Sequence, residues 1–267
     1  MNKALWATVS SLVVLTGCAT DTERTDDLSA TGHVHNLATD GSAIWAGTHD
    51  GLYQWEEDSA DCLRLGPSFD VMGLSYHDET FWASGHPGSE LDSPDPIGLI
   101  RSNDGATTWE PHALSGEVDF HMLDVSEASM VRVAANYGAI VRSVDGGANW
   151  ETFEVPPLTD FALNPQNPQE LLIATGEGLL LSEDLGETFT ELDVPAGIST
   201  VEWADIGVVA GSASELFTSD STTGPFVSLN HSFGEVHDIT ASGDLIAVLD
   251  TGEVIVSIDR GESFATG

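Results

Sequence analysis

Nine histidines stand in a chain of 267 residues that has only seven lysines and arginines together. Most of those histidines fall at recurrent positions. His35 shares its place in a repeating pattern with Met72, His121, Phe161, Val201 and His237. Two positions earlier come His33, Asp70, Asp119, Thr159, Ser199 and Glu235. A third set, three residues after a recurring apolar–Ala pair, holds His49, His86, Tyr137, Glu177, Ala213 and Asp250. Imidazole suits zinc or copper, a thioether adds the softness that favours Cu(I), and two or three histidines with a carboxylate suffice for zinc with an open position. The metal candidates are therefore His33, His35, His49, His86, His121, His237 and Met72, with Cu or Zn as the cofactor. The plainer reading makes them water-bridged lining of a channel too wide to fill with apolar side chains. Among the acids, Asp70, Asp119 and Glu235 are the catalytic candidates for a glycosidase working with two carboxylates, and Glu177 and Asp250 could also face that mouth. Nothing in the spacing fixes their separation, and solvated lining accounts for acids at a channel mouth equally well.

The elements that must position these residues repeat. Ser143-Val144-Asp145-Gly146-Gly147-Ala148-Asn149-Trp150 is matched by Ser182 to Phe189 and Ser257 to Phe264, which keep Ser, Asp, Gly and the aromatic at the same offsets. Ser102 to Trp109 has Ala106 in place of the glycine, and Ser219 to Phe226 is a worn copy without the aspartate. An Asp followed by small residues makes a tight turn whose carboxylate accepts backbone N–H groups, and the trailing aromatic begins the next strand. Steps of roughly forty residues match a propeller blade. Apolar–Ala pairs at Trp45-Ala46, Trp82-Ala83, Val133-Ala134, Ile173-Ala174, Val209-Ala210 and Ile246-Ala247 mark the second strands, with a first strand upstream of each. The expected fold is all-β, a six-bladed β-propeller of four-stranded antiparallel blades, over residues 32–267. Repeat symmetry then makes each of the three sets a ring at one mouth of the channel. The long connection from His86 to Pro96 is expected to arch over that mouth. The segment before His33 is expected to pair with the last blade and close the ring.

The octamers resemble the Asp-box, or BNR repeat, of sialidase-like propellers, in which the motif lies at the blade periphery and organises the fold. With the His-Val-His of residues 33–35, Thr48-His49-Asp50-Gly51, Ser84-Gly85-His86-Pro87-Gly88 and Asp119-Phe120-His121, nearly the whole chain resembles small bacterial BNR-repeat lipoproteins. Chains of that kind often carry glycosyl hydrolase labels. A true sialidase resemblance implies three substrate-clamping arginines and a Tyr–Glu pair. Here Arg24 precedes the blades, Arg101 and Arg142 abut boxes, Arg260 is inside one, and Arg64 and Arg132 are on no ring, so no arginine triad assembles. The boxes are also similar to those of seven-bladed photosynthetic assembly-factor propellers. This chain differs in blade count and in lacking a basic patch.

At the N-terminus, Lys3 precedes an apolar run that ends in Leu15-Thr16-Gly17-Cys18, which resembles a bacterial lipobox. Residues 1–17 are thus read as a lipoprotein signal peptide and Cys18 as the lipidation site. Residues 18–31 are read as a flexible, lipid-anchored tether. That places the protein outside the cytoplasm of a bacterium, anchored to a membrane. With Cys18 lipidated, Cys62 has no partner for an internal disulfide and is read as structural or incidental. A net charge of −37 makes nucleic acid an unfit partner and attracts cations. The functional expectation is a small ligand at the channel mouth, a transition metal foremost. The alternatives are a sialidase-like glycoside hydrolase using paired carboxylates, and a protein-docking or assembly-factor propeller.

Overall fold

The computed structural model describes residues 24–25, 33–55, 62–126, 131–136 and 138–266. The lipobox-like stretch, Cys18 and Tyr137 lie outside them. Among the described residues all regular structure is strand, arranged in six antiparallel sheets. Blade three shows the plan. Met122–Ser126, Val131–Asn136, Ala139–Ser143 and Glu151–Glu154 follow one another from the inside outwards. The six inner strands are Val34–Thr39, Asp70–His77, Met122–Ser126, Leu158–Leu163, Ile198–Ala204 and Val236–Ser242. Each packs against the next, and the inner strand of blade six packs against that of blade one, which closes the ring.

Apolar side chains fill the gaps between neighbouring blades. Between blades one and two, for example, Trp45 stacks edge-on against Phe81 with ring centroids 4.9 Å apart and meets Tyr76 at 4.4 Å. The seam between the last and first blades holds Leu37, Ile44 and Tyr53 against Leu245 and Leu249, with Cys62 in the same core. The marker alanines Ala46, Ala83, Ala174, Ala210 and Ala247 are buried, where a larger side chain would force the sheets apart.

The box turns form as their chemistry dictates. In each of four, the serine hydroxyl donates to the aspartate, for instance Ser143 Oγ to Asp145 Oδ1 at 2.9 Å. That serine oxygen accepts a backbone N–H four residues on, and the aspartate accepts both the backbone N–H and the side chain of the residue four beyond itself. These donors hold the carboxyls below their ordinary range. The Asn149 side chain leads at Asp145 and the Thr188 side chain at Asp184, and each carboxyl is lowered to about 2. In the worn copy, Ser219 donates instead to the Ser221 carbonyl.

A second set of polar links, not foreseen from the sequence, runs around the channel wall from blade to blade. Asn36 Nδ2 donates to the Met72 carbonyl at 2.7 Å, and Ser75 Oγ to Asp124 Oδ1 at 3.4 Å. Asp124 accepts Leu163 N–H at 3.0 Å, Asp160 accepts Val201 N–H at 2.8 Å, and Asp238 accepts Leu37 N–H at 2.6 Å. Glu202 takes the Ala241 N–H in the remaining junction. The inner strand of blade two passes blade three closely at Gly73, where a Cβ would stand 2.6 Å from the Phe120 carbonyl oxygen. Burial pushes all four carboxyls up, Asp238 to about 7.

The N-terminal strand departs from expectation. Arg24–Thr25 pairs with Leu63 and Cys62 and adds a fifth strand to blade one. Blade six takes its outermost strand from its own end, Ala265–Thr266. Among the described residues the seam is closed by core packing and by the Asp238–Leu37 bond, and no strand from the N-terminus joins blade six.

Candidate functional site

The inner strands of five blades carry a register irregularity near their start, and it decides which side chains reach the channel. The extra residues are His35, Met72, Thr159, Ser199 and His237. A β-bulge re-aims the residue it inserts, and such irregularities are over-represented beside functional sites. Phe161 and Val201, placed on this ring by sequence offset, lie two residues past the bulge and pack into the cores between blades, yet both still line the cavity, as Thr159 does and Ser199 does not. In blade three, His121 stands just before the strand begins at Met122. The resulting cavity, about 340 Å³, is lined by His33, His35, Met72, His121 and His237 at one level and by Asp124, Asp160, Glu202 and Asp238 along the wall. His49 and His86 are not among its lining residues.

The candidate ligands separate into groups. At the junction of blades one and two, His35 Nε2 and His49 Nδ1 are 3.3 Å apart. Each stands 3.2 Å from Asp70 Oδ1. The His33 ring lies beside both, with centroids 5.1 Å from His35 and 6.0 Å from His49. Three different elements supply the atoms: His35 from the bulge, His49 from the turn after Ile44–Thr48, and Asp70 from the first residue of the next inner strand. Burial lowers the His35 imidazole below its usual value. Asp70 opposes that shift, while His49 and His33 add to it.

At the junction of blades two and three the same parts recur with a different outcome. Asp119 Oδ2 lies 3.2 Å from His86 Nε2 and 3.0 Å from His121 Nε2. His86 also meets a second carboxylate, with Nδ1 2.6 Å from Asp95 Oδ1. The hydrogen bond to Asp95 raises the His86 imidazole, and the Asp119 charge adds to it. Asp95 belongs to the long connection of blade two, which contributes no residue to the channel lining. That connection is tied to its neighbours on both sides. Glu90 pairs with Arg64 of blade one at 2.9 Å and accepts the Ser68 N–H, while the Gly116 N–H donates to the Pro96 carbonyl.

The remaining candidates stand apart. His237 is 3.9 Å from Glu235 on its own strand edge. Arg142 donates to the Asp184 and Leu185 carbonyls and to Glu187, so it ties blade three to the next box and has no place at the mouth.

Fold and site together define a closed six-bladed propeller with a histidine-lined channel mouth. No family model matches the chain. Among curated proteins, the photosystem II assembly lipoprotein Ycf48 of Synechococcus sp. (strain CC9902) is 25% identical over 127 residues, 47% of this chain and 35% of that protein. The alignment thus spans about a third of that relative's length. Among solved structures, YCF48 bound to D1 peptide superposes with a TM-score of 0.56 at 16% identity, covering 93% of this chain and 84% of that one. A GH74 xyloglucanase from Xanthomonas campestris gives 0.56 at 13% identity, over 92% of this chain and 46% of that one. The Cps50 (Swd1) β-propeller domain of Myceliophteria thermophila gives 0.57 at 15% identity, over 93% and 88%. These structures establish the β-propeller fold; at such identities they carry no activity across.

Proposed function

We propose that this protein is a docking propeller, anchored through Cys18 to the outer side of a bacterial membrane, that holds a polypeptide segment at its channel mouth. The observation that carries the reading is the sequence relationship to Ycf48, a lipoprotein that works in assembly. The likeness of fold to YCF48 bound to D1 peptide supports it. The mouth suits a peptide better than a compact apolar ligand: it is broad and polar, and it is lined by histidines and a methionine around a wall of carboxyls. A net charge of −37 favours a partner segment that carries basic residues.

The test is fluorescence anisotropy with labelled basic, neutral and acidic peptides of equal length, at low and high salt. Saturable binding of the basic peptide is expected, weakening as salt rises and weakened further by the pair His121→Ala and His237→Ala. Absence of saturable binding to every peptide, or binding unaffected by the mouth substitutions, would overturn the reading.

A further inference from the structure

We propose that His35, His49 and Asp70 form a three-ligand site for a divalent transition-metal ion of the zinc type, with one coordination position left for water or a donor from a bound partner. This goes beyond peptide docking and stands on separate observations.

The donor atoms form a nearly equilateral triangle, with edges of 3.3, 3.2 and 3.2 Å. Four donors arranged tetrahedrally about an ion at roughly 2.0 Å are about 3.3 Å from one another, so the triangle matches one face of a zinc coordination shell. An ion seated over it would lie somewhat out of the plane, leaving the fourth apex unfilled. Two imidazoles and one carboxylate are a donor set zinc accepts, and nickel or copper would compete for it.

The hydrogen-bond arrangement supports the same reading. Asp70 Oδ1 is buried and accepts no well-directed hydrogen bond, although two imidazole nitrogens stand 3.2 Å from it. The approach has the distance of an ion pair without the direction of an N–H···O bond. A buried carboxylate oxygen left so carries a desolvation cost that a cation would relieve. The framework is also stiff, because each ligand comes from a strand, or from the turn closing one, within the packed core of blades one and two. His33 is the nearest further imidazole to the triangle.

The neighbouring group shows what the same residue types look like when they form ion pairs instead. Both nitrogens of His86 face carboxylates, an arrangement that favours the doubly protonated ring, which has no lone pair to offer a metal. At the His35–His49–Asp70 group one carboxylate oxygen serves two imidazoles, and no second acid among the described residues pairs with either ring.

The full chain, stripped with EDTA, is titrated with Zn2+ against a chromogenic chelator in high salt, which suppresses diffuse binding to the acidic surface. Wild type and His121→Ala are expected to retain one equivalent. His49→Ala and Asp70→Asn are expected to bind roughly 100-fold more weakly or worse, since even loss of an outer-shell partner costs about 10–100-fold. Co2+ substitution is expected to give the ligand-field bands of a tetrahedral site in wild type and to lose them in His49→Ala. His49 is exposed on the rim, so unchanged circular dichroism and melting of His49→Ala keep the comparison interpretable if Asp70→Asn does not fold. Failure of wild type to retain one equivalent, or equal retention by wild type and His49→Ala, would overturn the proposal.

Discussion

Two junctions of this propeller use the same parts and build different things from them. Between blades one and two, and again between blades two and three, an aspartate at or shortly before the start of an inner strand faces the histidine that follows or ends the preceding blade's second strand. A further imidazole completes each group, His35 in the first and His121 in the second. In the first, three donor atoms converge on one point. In the second, Asp95 arrives from the long connection and engages the free face of His86. The two environments pull their histidines in opposite directions: burial lowers His35, while the hydrogen bond to Asp95 raises His86. If the first group holds a metal as proposed, the carboxylate of Asp95 is what sets the second group apart from it. That also assigns a job to the connection, which works on His86.

The largest expected difference between the junctions is in metal affinity. Asp70→Asn is expected to weaken Zn2+ binding roughly 100-fold or more, and Asp119→Asn, at the equivalent place one blade on, to leave it within about threefold. Equal losses, read by chelator competition, would erase the distinction between the two groups.

A smaller effect concerns stability, and it must be separated before histidine titrations are compared. The folded-state value of Asp238, about 7, lies above its ordinary 3.8 because of burial. Native protein therefore binds more protons than unfolded chain between those values. Stability is highest at the acid end of that window and falls as pH rises through about 7. Asp238→Asn keeps an acceptor for the Leu37 N–H and removes the titration. Its stability relative to wild type is expected to rise by up to about 1 kcal/mol for each pH unit across the window, measured by urea unfolding. A constant difference across pH would contradict a titrating Asp238.

The smallest effect is the most local. Asp95→Asn removes the leading cause of the raised His86 imidazole, so the NMR titration of His86 is expected to move to lower pH while that of His35 stays in place. Because His86 is raised, its contribution to stability is present below the unfolded histidine value and is lost as pH rises through the folded one. At this half-exposed site that contribution is below about 1 kcal/mol. A His86 titration unmoved by the substitution would leave Asp119 as the governing partner.

How much of this was legible in the sequence depended on how local the interaction is. The box turns were readable because Ser143, Asp145, Gly147 and Asn149 satisfy one another within a few residues. The blade count followed from the alanine pairs, which mark a repeated packing requirement. The ring offset coincides with the bulge at His35, Met72 and His237, and falls two residues past it in blades four and five, where the bulge residues are Thr159 and Ser199. A bulge leaves no mark in hydrophobic periodicity. The pairing of His86 with Asp95 was hidden because it depends on how the connection folds back. The wall carboxyls were missed although a signal existed: Asp124, Asp160, Glu202 and Asp238 are acids set within otherwise apolar inner strands, a placement that surface strands would not require. Their partners lie a whole blade away, so spacing gave no hint of them.

The difference between the two junctions is tested most directly by an anomalous difference map from crystals of the full chain grown with zinc, collected on both sides of the zinc absorption edge. A single strong peak within coordinating distance of His35, His49 and Asp70, with none at Asp119, is expected. No peak at that triangle, or an equal peak between His86 and His121, would contradict the assignment of a metal site to the first junction and an ion-pair network to the second.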